Sequence, residues 1–120
     1  MNFKILETNS IKIAVCRSDS MIITDGQSAL DFLASIGHEH GCQNIAINKF
    51  AITEDFFDLS TGIAGEVAQK IVNYHFRFAI IGDFSGYSSN SLKDYIYECN
   101  LRGPLFFVET EKDALEKLRL

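Results

Sequence analysis

The stretch Phe76-Arg77-Phe78-Ala79-Ile80-Ile81-Gly82-Asp83 decides the fold class of this chain. Its first six residues are apolar except for Arg77, and Gly82-Asp83 supplies a turn signal directly after them. A short apolar run bounded in this way is typical of a fully buried strand, as found in parallel sheets. The stretch therefore predicts a central strand of an α/β domain.

The sequence on both sides of this strand supplies alternating helices and strands. Apolar runs predict further strands, and apolar residues at helical spacing behind capping residues predict the helices. Upstream lie a strand at Asn44–Asn48, a short helical turn opened by Thr53, and a helix from about Thr61 to Tyr74. Downstream lie a helix opened by Ser91 that closes near Gly103, a strand at Leu105–Val108, and a last helix capped by Thr110.

The N-terminal part predicts a hairpin and a helix. Apolar residues alternate on both sides of the turn formers at 7–10, which is the period of half-buried strands. Thr24-Asp25-Gly26-Gln27 has the form of a capping box, and Gly37 is placed to end the helix that follows. The order β-β-α-β-α-β-α-β-α predicts a single domain over residues 1–120, with a mostly parallel five-stranded sheet and an opening antiparallel hairpin.

Composition excludes several classes of function. With 11 Lys and Arg against 16 Asp and Glu, the formal net charge is −5, so the chain lacks the positive charge that sequence-independent nucleic-acid binding needs. We therefore expect no nucleic-acid partner. The apolar stretches are too short to span a bilayer, and the N-terminus lacks the apolar core of a signal peptide. Three widely spaced cysteines without a C-x-x-C pair favour reduced thiols and a cytoplasmic protein.

The segment Asp58-Leu59-Ser60-Thr61-Gly62 opens the second predicted helix. Ser60 or Thr61 can cap that helix by accepting hydrogen bonds from its free amides. The same geometry suits an anion or a phosphorylated hydroxyl, because a helix N-terminus carries partial positive charge. Capping alone and capping combined with regulation or ligand contact are both open.

Two further groups of polar residues are candidates for the same site. Glu66, Lys70 and Asn73 lie on the polar side of the second helix, which is either a solvated face or a partner-binding face, and Glu66 and Lys70 are spaced for an ion pair. The loop from Gly82 to Ser89 follows a strand but has no lysine, so it is not a Walker loop. Its Asp83, with Ser85 nearby, is either a turn former or a ligand-facing carboxylate.

The segment His38-Glu39-His40-Gly41-Cys42 carries ligand atoms of the kind that zinc prefers. A fourth ligand and a paired ligand motif are not evident, and the segment lies at the end of the sheet opposite the candidate turn. We therefore expect no metal site, no cofactor and no assigned catalytic residue.

Several motifs resemble the uncharacterised bacterial family known as domain of unknown function 4180 (DUF4180). They are Asp55-Phe56-Phe57-Asp58-Leu59, Thr61-Gly62-Ile63-Ala64-Gly65-Glu66, Gln69-Lys70, Asn73-Tyr74, Ala79-Ile80-Ile81-Gly82-Asp83-Phe84-Ser85 and Glu98-x-Asn100. The resemblance runs nearly end to end, and it implies no particular activity.

More distantly, the topology is similar to the STAS domains of sulfate transporters and anti-sigma-factor antagonists. In that class an Asp-Ser-Ser/Thr-Gly-Leu turn opens a helix, and the hydroxyl residue before the glycine is a regulatory phosphorylation site. Ser60-Thr61-Gly62-Ile63 occupies the corresponding place, so the resemblance implies Thr61 as the modified residue. Leu59 departs from the pattern because it moves Asp58 one residue away from the hydroxyl pair.

These observations favour a non-enzymatic, cytoplasmic regulatory or protein-interaction domain with a STAS-like fold. It would dock an unidentified protein partner over Asp58–Asn73, under the control of phosphorylation at Thr61 or Ser60. The alternative is a small-molecule- or anion-binding domain, or an enzyme, with a polar pocket between the Asp58 turn and the Gly82–Ser89 loop. An exposed edge strand or apolar patch would also allow a homodimer.

Overall fold

The structure is a computed structural model that describes residues 1–119. It confirms the predicted element order in one mixed α/β domain. The strands are β1 (Asn2–Thr8), β2 (Ile11–Arg17), β3 (Asn44–Asn48), β4 (Arg77–Ile81) and β5 (Leu105–Val108). The helices are α1 (Gly26–His40), α2 (Ile63–Asn73), α3 (Asn90–Arg102) and α4 (Glu111–Leu118). Three 3₁₀ turns, Lys49–Ala51, Glu54–Phe57 and Leu59–Thr61, connect β3 to α2.

The five strands lie in the sheet in the order in which they occur along the chain. The pairing of β1 with β2 is antiparallel, and the remaining neighbours are parallel. Helices α1, α2 and α3 pack on one face through a large apolar core, and α4 covers the other face through Ala114 and Leu118. Ligand crevices of open α/β sheets form where the strand order reverses. The order of the described strands does not reverse, so the sheet has no crevice of this kind among them.

The opening hairpin turns through two residues with positive φ, Asn9 at 52° and Ser10 at 68°. Positive φ at both central positions defines a type I′ turn, whose twist matches that of the flanking strands. Thr8 and Ile11 form the first residue pair beside this turn. The predicted hairpin is therefore confirmed, with a register that the turn geometry sets.

Helix α1 begins and ends later than the sequence predicts. Its N-cap is Asp25, whose carboxylate accepts a hydrogen bond from the Ser28 amide. The Ser28 hydroxyl in turn accepts a hydrogen bond from the Asp25 amide. The capping box therefore uses Asp25 and Ser28 instead of the predicted Thr24 and Gln27. Gly37 lies inside the helix, where the absence of a Cβ admits the Phe76 ring, since a Cβ would lie 2.8 Å from it. Gly41 ends the helix at a φ of 61°.

The predicted hydroxyl cap of α2 is present only in part, as one bond of 3.3 Å from the Ile63 amide to the Thr61 hydroxyl. The N-cap is Gly62, whose φ of 80° lies in the left-handed region, and it carries no side-chain cap. Ser60 and Thr61 lie one turn earlier, in a 3₁₀ helix. Since Gly62 already turns the chain into α2, the hydroxyl of Thr61 is used to hold the preceding turn.

The two edge strands of the sheet, β1 and β5, differ in whether their outward backbone groups are hydrogen-bonded. At the β5 edge the Asn100 side chain donates to the Phe107 carbonyl over 3.0 Å and accepts from the Phe107 amide over 2.8 Å. Asn100 of α3 thus pairs with Phe107 as one residue of a neighbouring strand would. At the β1 edge, no described residue forms such a pair.

Candidate functional site

Two loops at the carboxyl ends of β3 and β4 contain the same turn. In Asp58-Leu59-Ser60 (the Asp58 turn), Asp58 Oδ1 accepts from the Ser60 amide over 3.1 Å and from its hydroxyl over 2.6 Å. In Asp83-Phe84-Ser85 (the Asp83 turn), Asp83 Oδ1 accepts from the Ser85 amide and hydroxyl over 2.9 and 2.6 Å. All four polar side chains are exposed, so these predicted site residues are held in place while remaining accessible.

Aromatic rings join the two loops. The Phe57 ring stacks on Tyr87 with centroids 5.2 Å apart and lies 5.8 Å from Phe84. Phe84 in turn meets Phe107 of β5 edge-on at 5.4 Å. The place where the sequence predicts a polar pocket therefore holds packed rings, and the polar groups lie around their outer rim.

A lysine, a glutamate and a tyrosine bind one another above these rings. Lys49 Nζ lies 3.1 Å from Glu54 Oε1, and the Tyr87 hydroxyl donates to Glu54 Oε2 over 2.8 Å. Lys49 Nζ also lies 4.9 Å from the centroid of the Tyr87 ring and 5.3 Å from that of Phe57. Although burial lowers the pKa of Lys49, its bonds to Tyr87 and Glu54 outweigh that effect, and the net shift is upward. Lys49 therefore carries its charge at neutral pH.

Sequence reasoning did not identify this group. Tyr87 and Glu54 are 33 positions apart, so no local spacing connects them. The one signal in the sequence was the glycine at position 82, directly after a buried strand. In the structure a Cβ at this position would lie 2.7 Å from the Lys49 Cβ. A glycine directly after a buried strand can mark the close approach of another chain segment.

Hydrogen bonds also set the acidity of the Asp83 turn. The hydroxyl of Ser85, then its amide, lower the pKa of Asp83 below the ordinary value of 3.8, and Lys49 adds to this effect. Both bonds favour the ionised carboxylate. Asp83 therefore adds a stable negative charge beside the ring cluster.

The Thr61 hydroxyl connects three segments of the chain. Its Oγ1 lies 2.7 Å from the Asp55 carbonyl oxygen and 2.9 Å from that of Asp58, so its proton is shared between them. It also accepts a hydrogen bond of 3.3 Å from the Ile63 amide at the start of α2. Thr61 is nevertheless exposed, which makes it both a structural tie and an accessible hydroxyl.

The predicted residues on α2 have separate surroundings. Glu66 Oε1 accepts a 3.3 Å hydrogen bond from the Gly26 amide, so it lies at the N-terminus of α1, where a negative charge is favourable. The predicted Glu66–Lys70 ion pair is wrong, since the ion pairs of the described residues do not include it. Asn73 accepts from Gln69 on the same helix over 2.9 Å, at the end of α2, about 15 Å along the helix axis from its first residue.

Two large apolar side chains are exposed at the same end of the sheet. Phe50 is 67% exposed and Met21 is 53% exposed. Their segments are joined by hydrogen bonds of 2.7 and 2.9 Å from the Ile22 and Ile23 amides to the Ala51 carbonyl. These two residues are thus held on a firm backbone while their side chains face solvent.

Two clefts lie away from this end of the sheet. The larger, of about 660 Å³, is at the amino ends of the strands between the hairpin and the end of α1, with Lys12, His38 and Gly41 in its lining. The smaller, of about 240 Å³, lies beside β1 and is lined in part by Phe3, Arg17 and Glu111.

The histidine and cysteine segment lies near the larger cleft. His38 and His40 are in the last turn of α1, and Cys42 is buried with its thiol donating to backbone carbonyls. Within residues 1–119, no three His, Cys, Asp or Glu side chains form a group that could hold a metal ion. No helix in that range is long and apolar enough to cross a membrane.

The chain is similar to a protein family and to a solved structure. A model of the family described as Domain of unknown function (DUF4180) matches residues 8–118, which confirms the resemblance inferred from the motifs. No curated protein matches the chain significantly. Among solved structures, a variant of RsbS from Moorella thermoacetica is 16% identical over 99% of this chain and 96% of its own, with a TM-score of 0.45. RsbS is a STAS-domain protein.

Proposed function

We propose that this chain, which belongs to the DUF4180 family, is a non-enzymatic regulatory domain. It docks a protein partner on the surface formed by the Asp58 turn, the start of α2 and the neighbouring Asp83 turn. A phosphate on Thr61, or on Ser60 beside it, releases that partner. The cytoplasm, predicted from the cysteines, is the compartment in which this would operate.

The position of the Thr61 hydroxyl carries the proposal. Thr61 is exposed, and its hydroxyl bonds to the carbonyls of Asp55 and Asp58. A kinase could reach this group, yet its modification would not be structurally silent. Esterification by phosphate removes the proton that the two carbonyls share, so the turn loses the bonds that the Thr61 hydroxyl donates to Asp55 and Asp58.

The charge of the phosphate acts in the same direction. A phosphothreonine carries about −1.5 to −2 charges at neutral pH. It would lie beside the exposed carboxylates of Asp55 and Asp58, which repel it. The amides at the start of α2 attract it, because they form the positive end of the helix. The modified turn is therefore expected to move toward α2 and away from Asp55.

The surface around the turn defines the chemistry of the partner. Asp55, Asp58 and Asp83 are exposed carboxylates, and Phe50 is a large exposed ring at the same end of the sheet. Protein interfaces are enriched in aromatic residues and have a polar rim. The complementary partner carries lysine or arginine around an apolar depression.

The ring packing between the loops favours docking over the alternative of a ligand held between them. Phe57 packs against Phe84 and Tyr87 where a small molecule would have to enter. A bound anion in contact with Asp83 would reverse this preference. The carboxylate at that position is ionised at neutral pH, which opposes an anionic ligand.

Partner capture from the source cells tests the proposal. The baits are the native protein, Thr61→Glu, Thr61→Val and Asp58→Arg, with Lys112→Glu on α4 as a matched surface control. Thr61→Val removes the hydroxyl bonds without adding charge, so it separates the structural effect from the electrostatic one. Intact-mass analysis of the native protein reports whether phosphate is present.

The expected result is a protein retained by the native bait and by Lys112→Glu, and lost with Asp58→Arg and Thr61→Glu. Retention by all five baits, together with no phosphate on the native protein, would contradict both the docking surface and the switch.

A further inference from the structure

The unpaired edge of the sheet at β1 has a backbone geometry that can be worked out from the hairpin. In a two-residue type I′ hairpin, the residues flanking the turn form a hydrogen-bonded pair, and such pairs recur at every second position. Thr8 and Ile11 flank the turn, so Thr8, Leu6, Lys4 and Asn2 direct their amides and carbonyls toward β2. The amides and carbonyls of Phe3, Ile5 and Glu7 therefore point outward, away from the sheet.

A second copy of this chain can pair with this edge. Antiparallel pairing of two β1 strands about a two-fold axis perpendicular to the sheet keeps each face of the sheet on its own side. With Ile5 on the axis, Phe3 faces Glu7 of the second copy, Ile5 faces Ile5, and Glu7 faces Phe3. These are three outward-pointing pairs with two hydrogen bonds each, so all the free groups of Phe3, Ile5 and Glu7 are satisfied.

The neighbouring registers are less favourable. With Lys4 on the axis, only the two Phe3–Ile5 pairs would form. The two Lys4 side chains, each ion-paired with Glu111 of its own copy, would also lie directly opposite each other. With Leu6 on the axis, Phe3 would extend past the end of the partner strand, and only the two Ile5–Glu7 pairs would form. Hydrogen-bond count and charge thus select the register centred on Ile5, which opposes no like charges.

The other edge of the sheet decides how far such an assembly grows. A strand edge that is open on both sides of a molecule can add copies without limit, whereas a two-fold contact closes. At the β5 edge, the outward amide and carbonyl of Phe107 are already bonded to the Asn100 side chain. We propose that this chain forms a closed two-fold dimer through β1, with Ile5 on the axis and a continuous ten-stranded sheet.

Side chains at this edge support the contact. Phe3 is 43% exposed, with its ring 4.7 Å from that of His40. The opposing Glu7 of the second copy would cover this ring and bring its carboxylate near the imidazole. A seven-residue strand is short compared with the roughly 1,600 Å² that standard interfaces bury, so the dimer should dissociate at micromolar concentrations.

Sedimentation velocity over a wide concentration range, from low micromolar to about 1 mM, tests the proposal. The native protein is expected to pass from monomer to dimer in this range. Phe3→Lys and Phe3→Glu form a matched pair, since both lose the ring while only the second places two carboxylates opposite each other. We expect Phe3→Lys to dimerise about tenfold more tightly than Phe3→Glu at low salt.

A backbone variant gives an independent readout. Glu7→Pro removes one outward amide and leaves the pairing with β2 intact, because proline is tolerated where the amide of an edge strand faces solvent. Glu7→Pro should abolish dimerisation, whereas Glu7→Ala should keep it, and the unfolding midpoint of each variant checks its fold. A native protein that stays monomeric throughout, or equal dissociation constants for the two Phe3 variants, would overturn the proposal.

Discussion

The Asp58 and Asp83 turns have the same local chemistry but differ in what holds them to the rest of the molecule. In each turn, the carboxylate accepts hydrogen bonds from the amide and the hydroxyl of a serine two residues later. Only the Asp58 turn continues into Thr61, which bonds to the Asp55 carbonyl six positions away, and into the left-handed Gly62. A short motif therefore specifies a turn, while the residues after it decide whether modifying that turn affects its surroundings.

The largest expected effect comes from removing the ring that joins the two turns. Phe57 is 4% exposed and contacts Phe56, Phe84 and Tyr87. Phe57→Ala should lower the free energy of unfolding by about 3–5 kcal/mol, because it removes a buried ring and leaves a cavity. Denaturant unfolding measures this, and Phe50→Ala is the exposed control. An equal loss in both variants would mean that the rings do not tie the loops together.

The two glycines that follow the turns should respond differently to a methyl group. Gly62→Ala should cost about 1–2 kcal/mol, because alanine is strained at a φ of 80°. At Gly86 a Cβ would meet nothing within 4 Å, and the backbone is not left-handed, so Gly86→Ala should be neutral or slightly stabilising. Thermal unfolding of the pair checks this, and a neutral Gly62→Ala would contradict the rigid start of α2.

Removing a hydroxyl from each loop should change the free energy of unfolding by a smaller amount. Thr61→Val should lower the free energy of unfolding by about 1 kcal/mol, since two carbonyls lose their shared donor. Ser85→Ala should cost about half as much or less, because the Ser85 amide still bonds to Asp83. Equal losses would mean that Thr61 is no more of a structural tie than Ser85.

The smallest expected effect is on the titration of Asp83. Its pKa is lowered by the Ser85 hydroxyl first and the Ser85 amide second. A carboxylate with a lowered folded-state pKa stabilises the fold above its unfolded pKa, and that stabilisation is lost as the pH falls through the folded value. Carbon-13 titration should place the Asp83 midpoint below 3.8. In Ser85→Ala the midpoint should rise, and an unchanged midpoint would show that the hydroxyl has no effect.

Much of the fold could be predicted from local sequence. The bounds of β3 and β5 and the Thr110 cap of α4 agree with the structure, because short apolar runs between turn signals leave few alternatives. The boundaries of α1 were harder to predict, since Ser28 can serve the capping box as well as Gln27. The Phe76 ring against Gly37 is a contact across 39 positions that no local pattern reports.

The candidate site was predictable only in part, for the same reason. The turns around Asp58 and Asp83 follow from their residue types, but the contacts that give them their surroundings are distant in sequence. Glu66 bonds to Gly26 across 40 positions instead of to Lys70, and Tyr87 bonds to Glu54 across 33. Side-chain partners of this kind depend on how the helices pack, which one sequence does not specify.

The binding of the captured partner to protein that carries phosphothreonine at position 61 tests the central claim most directly. The dissociation constant would be measured by calorimetry for the native and the phosphorylated protein, with phosphoserine at Ser85 as the matched control on the other turn. Phosphate at Thr61 should weaken binding at least tenfold and phosphate at Ser85 should weaken it less, because only the first breaks the bonds to Asp55 and Asp58. Equal affinity of the native and Thr61-phosphorylated proteins would contradict the account.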